Sequence, residues 1–274
     1  MPGRGELFVR EAAGPPGGPT ILLLHGWTVS ADLQWWRLYD SVARLGHVVA
    51  IDHRGHGRGI RSDEPFTLEA CADDAAALLA HLRLGPAVVC GYSMGGPIAM
   101  LMWRRHPEVV AALVLESTAL QWKDSRWERT VWRTMAVVEF ILRLGPSRGI
   151  IERTLRDAIE TSPDLAPYRG WLKGELRRAD AGDIAEAGRA LGQYDGRPFA
   201  GAVDVPAAVV VTTRDRLVRA RKQRELAAAI PGCRVFELAG DHDATLVMPA
   251  EFERVTLAAL RSVAPAPRQE LRGA

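Results

Sequence analysis

The sequence predicts an α/β fold built on a doubly wound, mostly parallel sheet. Two observations carry this prediction. Short apolar runs alternate along the chain with longer segments of helical periodicity, which is the order expected of repeated βαβ units. Several of the apolar runs are rich in valine, isoleucine or leucine and lack polar alternation, as expected for strands that helices cover on both faces.

The individual elements follow from this alternation. Six apolar runs are predicted as strands, at residues 20–24, 48–51, 87–90, 111–115, 207–211 and 234–238. Helical patterns are predicted at residues 35–45, 68–82, 97–106, 219–229 and 249–263. Before the first of these strands, the Gly/Pro-rich segment 14–19 is predicted to be a turn that follows an N-terminal strand or hairpin.

One region interrupts the alternation. From about residue 120 to residue 200 the sequence is helical in pattern, charged and aromatic, with no strand-like run. We predict that residues 120–200 form a helical cap inserted into a core of residues 1–119 and 201–274, with a flexible tail at 264–274. The cap contains four of the eight tryptophans, most of which should join its helices to each other and to the core.

Composition limits the classes of function. The chain has 274 residues, 47% of them hydrophobic, and 35 Lys and Arg against 33 Asp and Glu, so it carries no strong basic charge for nucleic acid. The three cysteines, Cys71, Cys90 and Cys233, are widely spaced, which argues against a disulfide framework or a zinc cluster. The apolar run at 21–24 is too short to span a bilayer. We expect a cytoplasmic protein without a membrane span, of undetermined oligomeric state.

A serine nucleophile is predicted at residue 93. A strand-like run leads into Gly91-Tyr92-Ser93-Met94-Gly95, which is a Gly-x-Ser-x-Gly pattern, and a helical segment follows it. In this context the pattern indicates a sharp turn that strains the serine backbone and places its hydroxyl above the edge of the sheet. Glycines on both sides lack a Cβ and let strand and helix pack closely. The alternative is a serine in an ordinary tight turn.

A base and an acid follow this serine in the chain. His242 comes after the last predicted strand, and Asp215 comes after the strand before it. Both should lie at the same edge of the sheet as Ser93, because the carboxyl ends of parallel strands meet there. A serine hydroxyl needs a base to take its proton, and the base needs an acid to orient it. Glu116, directly after an earlier strand, is the alternative acid.

This order of serine, acid and histidine resembles the α/β-hydrolase superfamily, and the resemblance covers nearly the whole chain apart from the cap and tail. His25-Gly26-Trp27 resembles the loop after the third strand of that family, and residues 52–57 resemble the loop after its fourth strand. By position, the resemblance implies that the backbone N–H groups of Trp27 and Met94 form an oxyanion hole. No residue of the pattern marks a metal ion or an organic cofactor.

The resemblance implies a capped serine hydrolase that cleaves a carboxylic ester of a small, largely apolar substrate through an acyl-enzyme. Ser93 argues against dehalogenases and epoxide hydrolases of this fold, which use an aspartate at that position. Thioesterase, lactonase, perhydrolase or acyltransferase activity would use the same residues, and so would a slow-turnover ligand receptor. The candidate substrate-binding residues are aromatic: Trp27, Tyr92, Trp122, Trp127 and Trp132.

Overall fold

The computed structural model describes residues 1, 3–126, 128–130, 132, 134 and 163–264. The strands of this part of the chain are β1 Val9–Ala12, β2 Thr20–Leu24, β3 His47–Ile51, β4 Ala87–Tyr92, β5 Val110–Glu116, β6 Ala207–Thr212 and β7 Arg234–Leu238. They form one sheet in the order β1-β3-β2-β4-β5-β6-β7. β1 pairs antiparallel with β3, and the other neighbours pair in parallel. The prediction of a mostly parallel α/β sheet is confirmed.

The helices lie between and after these strands. They are α1 Ala31–Trp35, α2 Tyr39–Ala43, α3 Leu68–His81, α4 Gly95–Arg105, α5 Arg169–Leu176, α6 Ala181–Gln193, α7 Ala220–Ala229, α8 Ala244–Val247 and α9 Pro249–Val263. Helices α3, α4, α7 and α9 begin and end within two residues of the predicted bounds. Short 3₁₀ turns occur at Pro107–Val109, Pro163–Tyr168 and Ala200–Ala202.

The single helix predicted at residues 35–45 is wrong, since the structure has two short helices there. Ser30 caps α1 by accepting a hydrogen bond from the N–H of Leu33, so the helix begins earlier than the apolar pattern indicates. A tight turn then separates the helices, because the N–H of Leu38 donates to the carbonyl of Trp35 at 2.7 Å.

The sheet has a buried layer on each face. Leu22 and Leu24 of β2 pack on one face with helices α3 and α4, while Ile21 and Leu23 pack on the other face with helix α9. The same alternation along β3, β4, β5 and β6 divides the core into two clusters. Burying each of these large aliphatic side chains contributes roughly 1.5–3 kcal/mol. This double coverage explains why strands β2 to β6 are apolar along nearly their whole length.

The carboxyl ends of the parallel strands meet at one edge of the sheet. Leu24 at the end of β2 lies opposite Gly91 of β4, and Tyr92 lies opposite Glu116. Farther along the sheet, the end of β6 adjoins the end of β7. The loops that follow β2, β4, β6 and β7 therefore emerge side by side, and they carry the predicted site residues.

The segment between β5 and β6 contains no strand among its described residues, apart from an isolated bridge between Gln121 and Asp195. This bridge brings the two ends of the segment together. Helices α5 and α6 pack over the loop after β2 through a small apolar cluster that includes Leu172 and Ile184. The boundaries 120–200 for a cap and 264–274 for a tail stay predictions, because residues 135–162 and 265–274 lie outside the described chain.

No helix in the described ranges is both long enough and apolar enough to cross a membrane.

Candidate active site

Ser93 lies at the turn between β4 and α4 with a φ of +51°. Residues other than glycine rarely adopt this left-handed conformation, so the backbone is strained there. The N–H of Ser93 donates to the carbonyl of Glu116 at 2.9 Å, which ties the turn to the end of β5. A Cβ on Gly91 would overlap the carbonyl oxygen of Gly95, and one on Gly95 would overlap that of Leu24. Both glycines are therefore required for this turn.

His242 lies between Ser93 and Asp215. Its Nε2 is 3.0 Å from the Ser93 hydroxyl oxygen, and its Nδ1 is 2.8 Å from Oδ2 of Asp215. A carboxylate oxygen only accepts hydrogen bonds, so Nδ1 carries the hydrogen and Nε2 is left to accept from the hydroxyl. The other carboxylate oxygen accepts from the N–H groups of Leu217 and Val218 at 2.9 and 2.7 Å. This geometry allows His242 to take the proton of Ser93.

Glu116, the alternative acid, makes a different contact. It is fully buried at the end of β5, and its Oε1 accepts from the hydroxyl of Thr256 at 2.8 Å. Its Oε2 is buried and makes no hydrogen bond to any residue that the structure describes. Burial raises the pKa of this carboxyl to about 8, so it holds a proton at neutral pH. In the part of the chain that the structure describes, Asp215 is the carboxylate that contacts the His242 ring.

Replacing Glu116 with glutamine should stabilise the protein increasingly as the pH rises. Because burial raises the pKa of Glu116 from 4.5 to about 8, the unfolded chain loses this proton over that range while the folded chain keeps it. The free energy of unfolding of the wild type therefore falls between these two pH values. Glutamine has no such proton, and its amide oxygen can still accept from Thr256. Calorimetry at about pH 5 and about pH 8 measures the difference in Tm, and a difference independent of pH contradicts the expectation.

The loop after β2 lies against the serine. A Cβ on Gly26 would be 3.3 Å from the Cβ of Ser93, so this backbone passes directly beside the Ser93 side chain. The N–H of Gly26 is directed to Oε1 of Gln34 at 3.4 Å. The next N–H, of Trp27, and that of Met94 make no hydrogen bond within the described ranges. These two backbone N–H groups next to the serine therefore have no acceptor among the described residues.

Three buried histidines hold this loop. His25 donates from Nδ1 to the carbonyl of Gly26 at 2.7 Å, and its Nε2 accepts from the N–H of His53 at 2.9 Å. Because a peptide group is planar and trans, fixing the Gly26 carbonyl also fixes the direction of the Trp27 N–H. The centroid of the His25 ring is 4.2 Å from that of His53 and 5.4 Å from that of His56. Burial lowers the pKa of His25 to about 4, so the ring is neutral.

Three of the predicted aromatic residues pack together between the loop after β2 and the segment between β5 and β6. The ring centroids of Trp27 and Trp132 are 6.1 Å apart, and those of Trp132 and Trp122 are 6.2 Å apart. The indole N–H of Trp27 donates to the carbonyl of Ile184 on α6 at 2.6 Å. The row therefore connects the loop beside Ser93 with the segment between β5 and β6. The predicted Trp127 lies outside the described residues.

Tyr92, which the sequence predicted to bind substrate, lies apart from Trp27, Trp122 and Trp132. Its ring packs 6.3 Å from Trp35 and 5.7 Å from Phe252, and its hydroxyl donates to the carbonyl of His242 at 2.8 Å. Because side chains alternate along a strand, Tyr92 shares the face of β4 that carries Cys90 and packs toward α9. From there its hydroxyl holds the backbone of the loop that carries His242.

Buried polar residues next to the site, among them Gln34 and Thr212, were not predicted. Gln34 contacts the N–H of Gly26, as described, and the hydroxyl of Thr212 donates to Oδ2 of Asp215 at 2.8 Å. Both residues are buried. A sequence signal existed for Thr212, since it is the polar residue that ends an apolar strand just before the predicted acid.

Comparisons with known proteins agree with this architecture. The family described as alpha/beta hydrolase fold matches residues 19–245. A pimeloyl-[acyl-carrier protein] methyl ester esterase of Chromobacterium violaceum is 30% identical over 225 residues, which cover 80% of this chain and 85% of that protein. The 3-oxoadipate enol-lactonase 2 of Acinetobacter baylyi is 24% identical over 216 residues, or 78% of each chain.

Solved structures show the same fold. The enol-lactonase from Burkholderia xenovorans matches with a TM-score of 0.77 and 25% identity, covering 93% of this chain and 96% of that one. An esterase from Exiguobacterium antarcticum matches with a TM-score of 0.79 at 16% identity, which shows likeness of fold alone, over 93% of this chain and 96% of that one. The family match runs from before β2 into α8, and the sheet and the strained turn at Ser93 agree with it. This chain therefore belongs to the α/β-hydrolase family.

Proposed function

We propose that this protein is a serine hydrolase that cleaves the carboxylic ester of a small, largely apolar substrate. The observation that supports this proposal most is the hydrogen-bonded row of Ser93, His242 and Asp215, with the serine at a strained turn. Relatives named as an esterase and as enol-lactonases also support it, since an enol-lactone is a cyclic ester.

The proposed reaction has two halves. Ser93 Oγ attacks the ester carbonyl carbon while its proton moves to Nε2 of His242, and the resulting tetrahedral intermediate collapses to an acyl-enzyme. The leaving alcohol takes the proton from His242 as the carbon–oxygen bond breaks. A water molecule then attacks the acyl-enzyme and gives its proton to His242. The carboxylic acid leaves, and Ser93 recovers its proton from His242.

The negative oxygen of each intermediate would be bound by the N–H groups of Trp27 and Met94. Each such donor contributes about 2.7–4 kcal/mol to the transition state in enzymes of this kind. The neutral His25 ring supports this role, because it holds the Gly26 carbonyl and hence the orientation of the Trp27 N–H. Both donors are backbone groups on neighbouring loops, so they need no reorganisation when the charge forms.

An apolar substrate is favoured by the side chains around the site. The indole rings of Trp27, Trp132 and Trp122 form a continuous aromatic row. On another side, Leu246 of α8 packs with Ile184 of α6 in the small apolar cluster beneath the cap segment. Sites that bind small molecules usually combine such apolar walls with a few polar groups that fix the reacting atoms.

Lactone hydrolysis is the second candidate. It is favoured by the enol-lactonase relatives, one of which is similar in sequence over most of the chain and another in structure. The bond broken is again a carboxylic ester, and the steps assigned to Ser93 and His242 are the same. The two candidates differ in that the leaving alcohol of a lactone stays attached to the acyl group.

Activity should rise with acyl length up to a limit. Each buried methylene contributes up to about 0.8 kcal/mol, or roughly fourfold in kcat/KM, until the chain reaches the wall of the pocket. We expect kcat/KM to increase from acetyl to a short or medium acyl chain and then to decrease. The measurement uses a series of straight-chain esters of one chromogenic alcohol, with a lactone of matched carbon number as the second arm.

Ser93→Ala is the control for this series, since it measures hydrolysis that does not depend on the proposed nucleophile. Two results would contradict an apolar pocket. One is a flat dependence on acyl length. The other is a preference for anionic acyl groups, which would indicate recognition by arginines near the start of the cap segment, such as Arg126 or Arg129.

A further inference from the structure

Gln223 on helix α7 contacts Asp215 and has no part in the reaction described above. We propose that Gln223 is a positioning residue: it fixes the orientation of the Asp215 carboxylate toward His242, both directly and through the hydroxyl of Thr212. This inference rests on the proposed function, since it assigns Gln223 to the support of the same three residues.

The carboxamide of Gln223 is fully buried and makes hydrogen bonds from both of its ends. Its Nε2 lies 2.6 Å from the carbonyl oxygen of Val218, 2.9 Å from the hydroxyl of Thr212 and 3.2 Å from Oδ2 of Asp215. Its Oε1 accepts from the N–H of Thr212 at 2.9 Å. One side chain thus joins the end of β6 to the loop that carries the acid.

The chemistry of these partners fixes the direction of the hydrogen bonds. The carboxylate of Asp215 and the carbonyl of Val218 only accept, so the Thr212 hydroxyl donates to the former and Nε2 of Gln223 donates to the latter. The remaining Nε2 hydrogen points to the Thr212 hydroxyl oxygen and to Oδ2 of Asp215. A flipped amide would place Oε1 against the Val218 carbonyl and leave the Thr212 N–H without an acceptor.

Three donor groups therefore surround the carboxylate oxygen that faces the catalytic histidine. They are Nδ1 of His242 at 2.8 Å, the hydroxyl of Thr212 at 2.8 Å and Nε2 of Gln223 at 3.2 Å. A chain of this kind, in which one donor polarises the next, is stronger than its separate members. Rotation of the carboxylate away from His242 would break contacts to both Thr212 and Gln223.

Gln223 also supplies a connection that the loop lacks by itself. The other carboxylate oxygen is held by the N–H groups of Leu217 and Val218, which belong to the same loop and move with it. Gln223 instead belongs to α7, a helix whose Leu226 is buried in the core. Displacements of about 1 Å in a reacting group can cost a hundredfold in rate, so a fixed attachment of this acid has kinetic value.

The first test is Gln223→Met, which keeps the length of the side chain and removes both polar ends. We expect kcat to fall roughly ten- to a hundredfold, which is the loss seen when the hydrogen-bond partners of metal-binding side chains are removed, while KM stays within about twofold. Proton NMR supplies a second readout. The low-field resonance of the His242 Nδ1 hydrogen should shift or broaden, because it reports the contact with Asp215 without any substrate.

Three further variants keep the proposal testable if Gln223→Met folds poorly. Gln223→Glu preserves the shape and the acceptor for Thr212 but replaces the donor near Asp215 by an oxygen, so the loss in kcat should exceed that of Gln223→Met. At Thr212, the substitution Thr212→Ser keeps the hydroxyl and should retain most of kcat. Thr212→Val removes the hydroxyl and should lower kcat with little change in KM.

Leu226→Ala is the matched control on the same helix. It removes a buried side chain that has no hydrogen bond to Asp215, so it should lower Tm without changing kcat or the His242 resonance. If Gln223→Met behaves in the same way, Gln223 is only structural and the inference is overturned. If the wild type hydrolyses no ester, the proposed function fails, and the NMR arm still decides whether Gln223 orients Asp215.

Discussion

Replacing Ser93 with alanine should lower kcat for ester hydrolysis by about a millionfold, which is the loss measured when the serine or histidine of a comparable triad is removed. The reason is that no other hydroxyl in the described chain lies within hydrogen-bonding distance of Nε2 of His242. His242→Ala should cause a loss of similar size, and the two losses should not add, because both remove one concerted step. Rates at saturating substrate, with Tm as a check on folding, measure this effect.

Covalent labelling separates an enzyme from a slow receptor. A fluorophosphonate should modify Ser93 in a one-to-one ratio, because in the proposed mechanism His242 activates the hydroxyl, and Ser93→Ala should abolish the modification. Ser62→Ala, which changes an exposed serine in the loop after β3, should label like the wild type. Slow single labelling without turnover of any ester would favour a receptor. Labelling elsewhere, or none in folded protein, would remove Ser93 from the proposed role.

The positions of strands β2 to β6 in the sequence could be predicted because helices cover the sheet on both faces. Such strands are apolar along nearly their whole length, so β2 was placed at its exact bounds and β6 within one residue of them from composition alone. The pairing of β1 could not be predicted in the same way. Its partner β3 lies far along the chain, and the antiparallel contact between Val9 and Ile51 leaves no local pattern in either segment.

The site was predictable where a loop directly follows a strand. Ser93, Asp215 and His242 each stand a few residues after an apolar run, and the topology brings such loops to one edge. The direction of a side chain was harder to predict than its position in the chain, as Tyr92 shows. The residue next to the serine projects to the opposite face of the sheet, and its hydroxyl contacts the backbone of His242 rather than a substrate pocket.

Gln223 shows why residues that support the candidate site residues from behind are hard to predict from sequence. It stands in the charged run Arg221-Lys222-Gln223-Arg224-Glu225, which has the composition of a helix face exposed to water. Only the fold turns this one residue toward β6, where its amide meets the buried end of the strand. A polar residue on a helix carries no local signal of such a role, because the partner that needs it is distant in the chain.

Replacing Asp215 with asparagine should lower kcat by about 10⁴ while the protein stays folded. The N–H groups of Leu217 and Val218 would hold the amide oxygen where Oδ1 now lies, so the NH₂ group would face Nδ1 of His242. The imidazole must then accept at Nδ1 and carry its hydrogen on Nε2. In that tautomer it cannot take the proton of Ser93.

Glu116→Gln is the matched control, since it makes the corresponding change from carboxyl to amide at the end of β5. Glu116 contacts Thr256 and holds a proton at neutral pH because burial raises its pKa to about 8, so this variant should keep kcat nearly unchanged. Both variants are compared with the wild type at saturating ester, and their Tm values show whether each is folded. A large loss in Glu116→Gln together with a small loss in Asp215→Asn would move the acid to the end of β5. It would also remove the basis for the role of Gln223, whose buried amide would then have no catalytic group to orient.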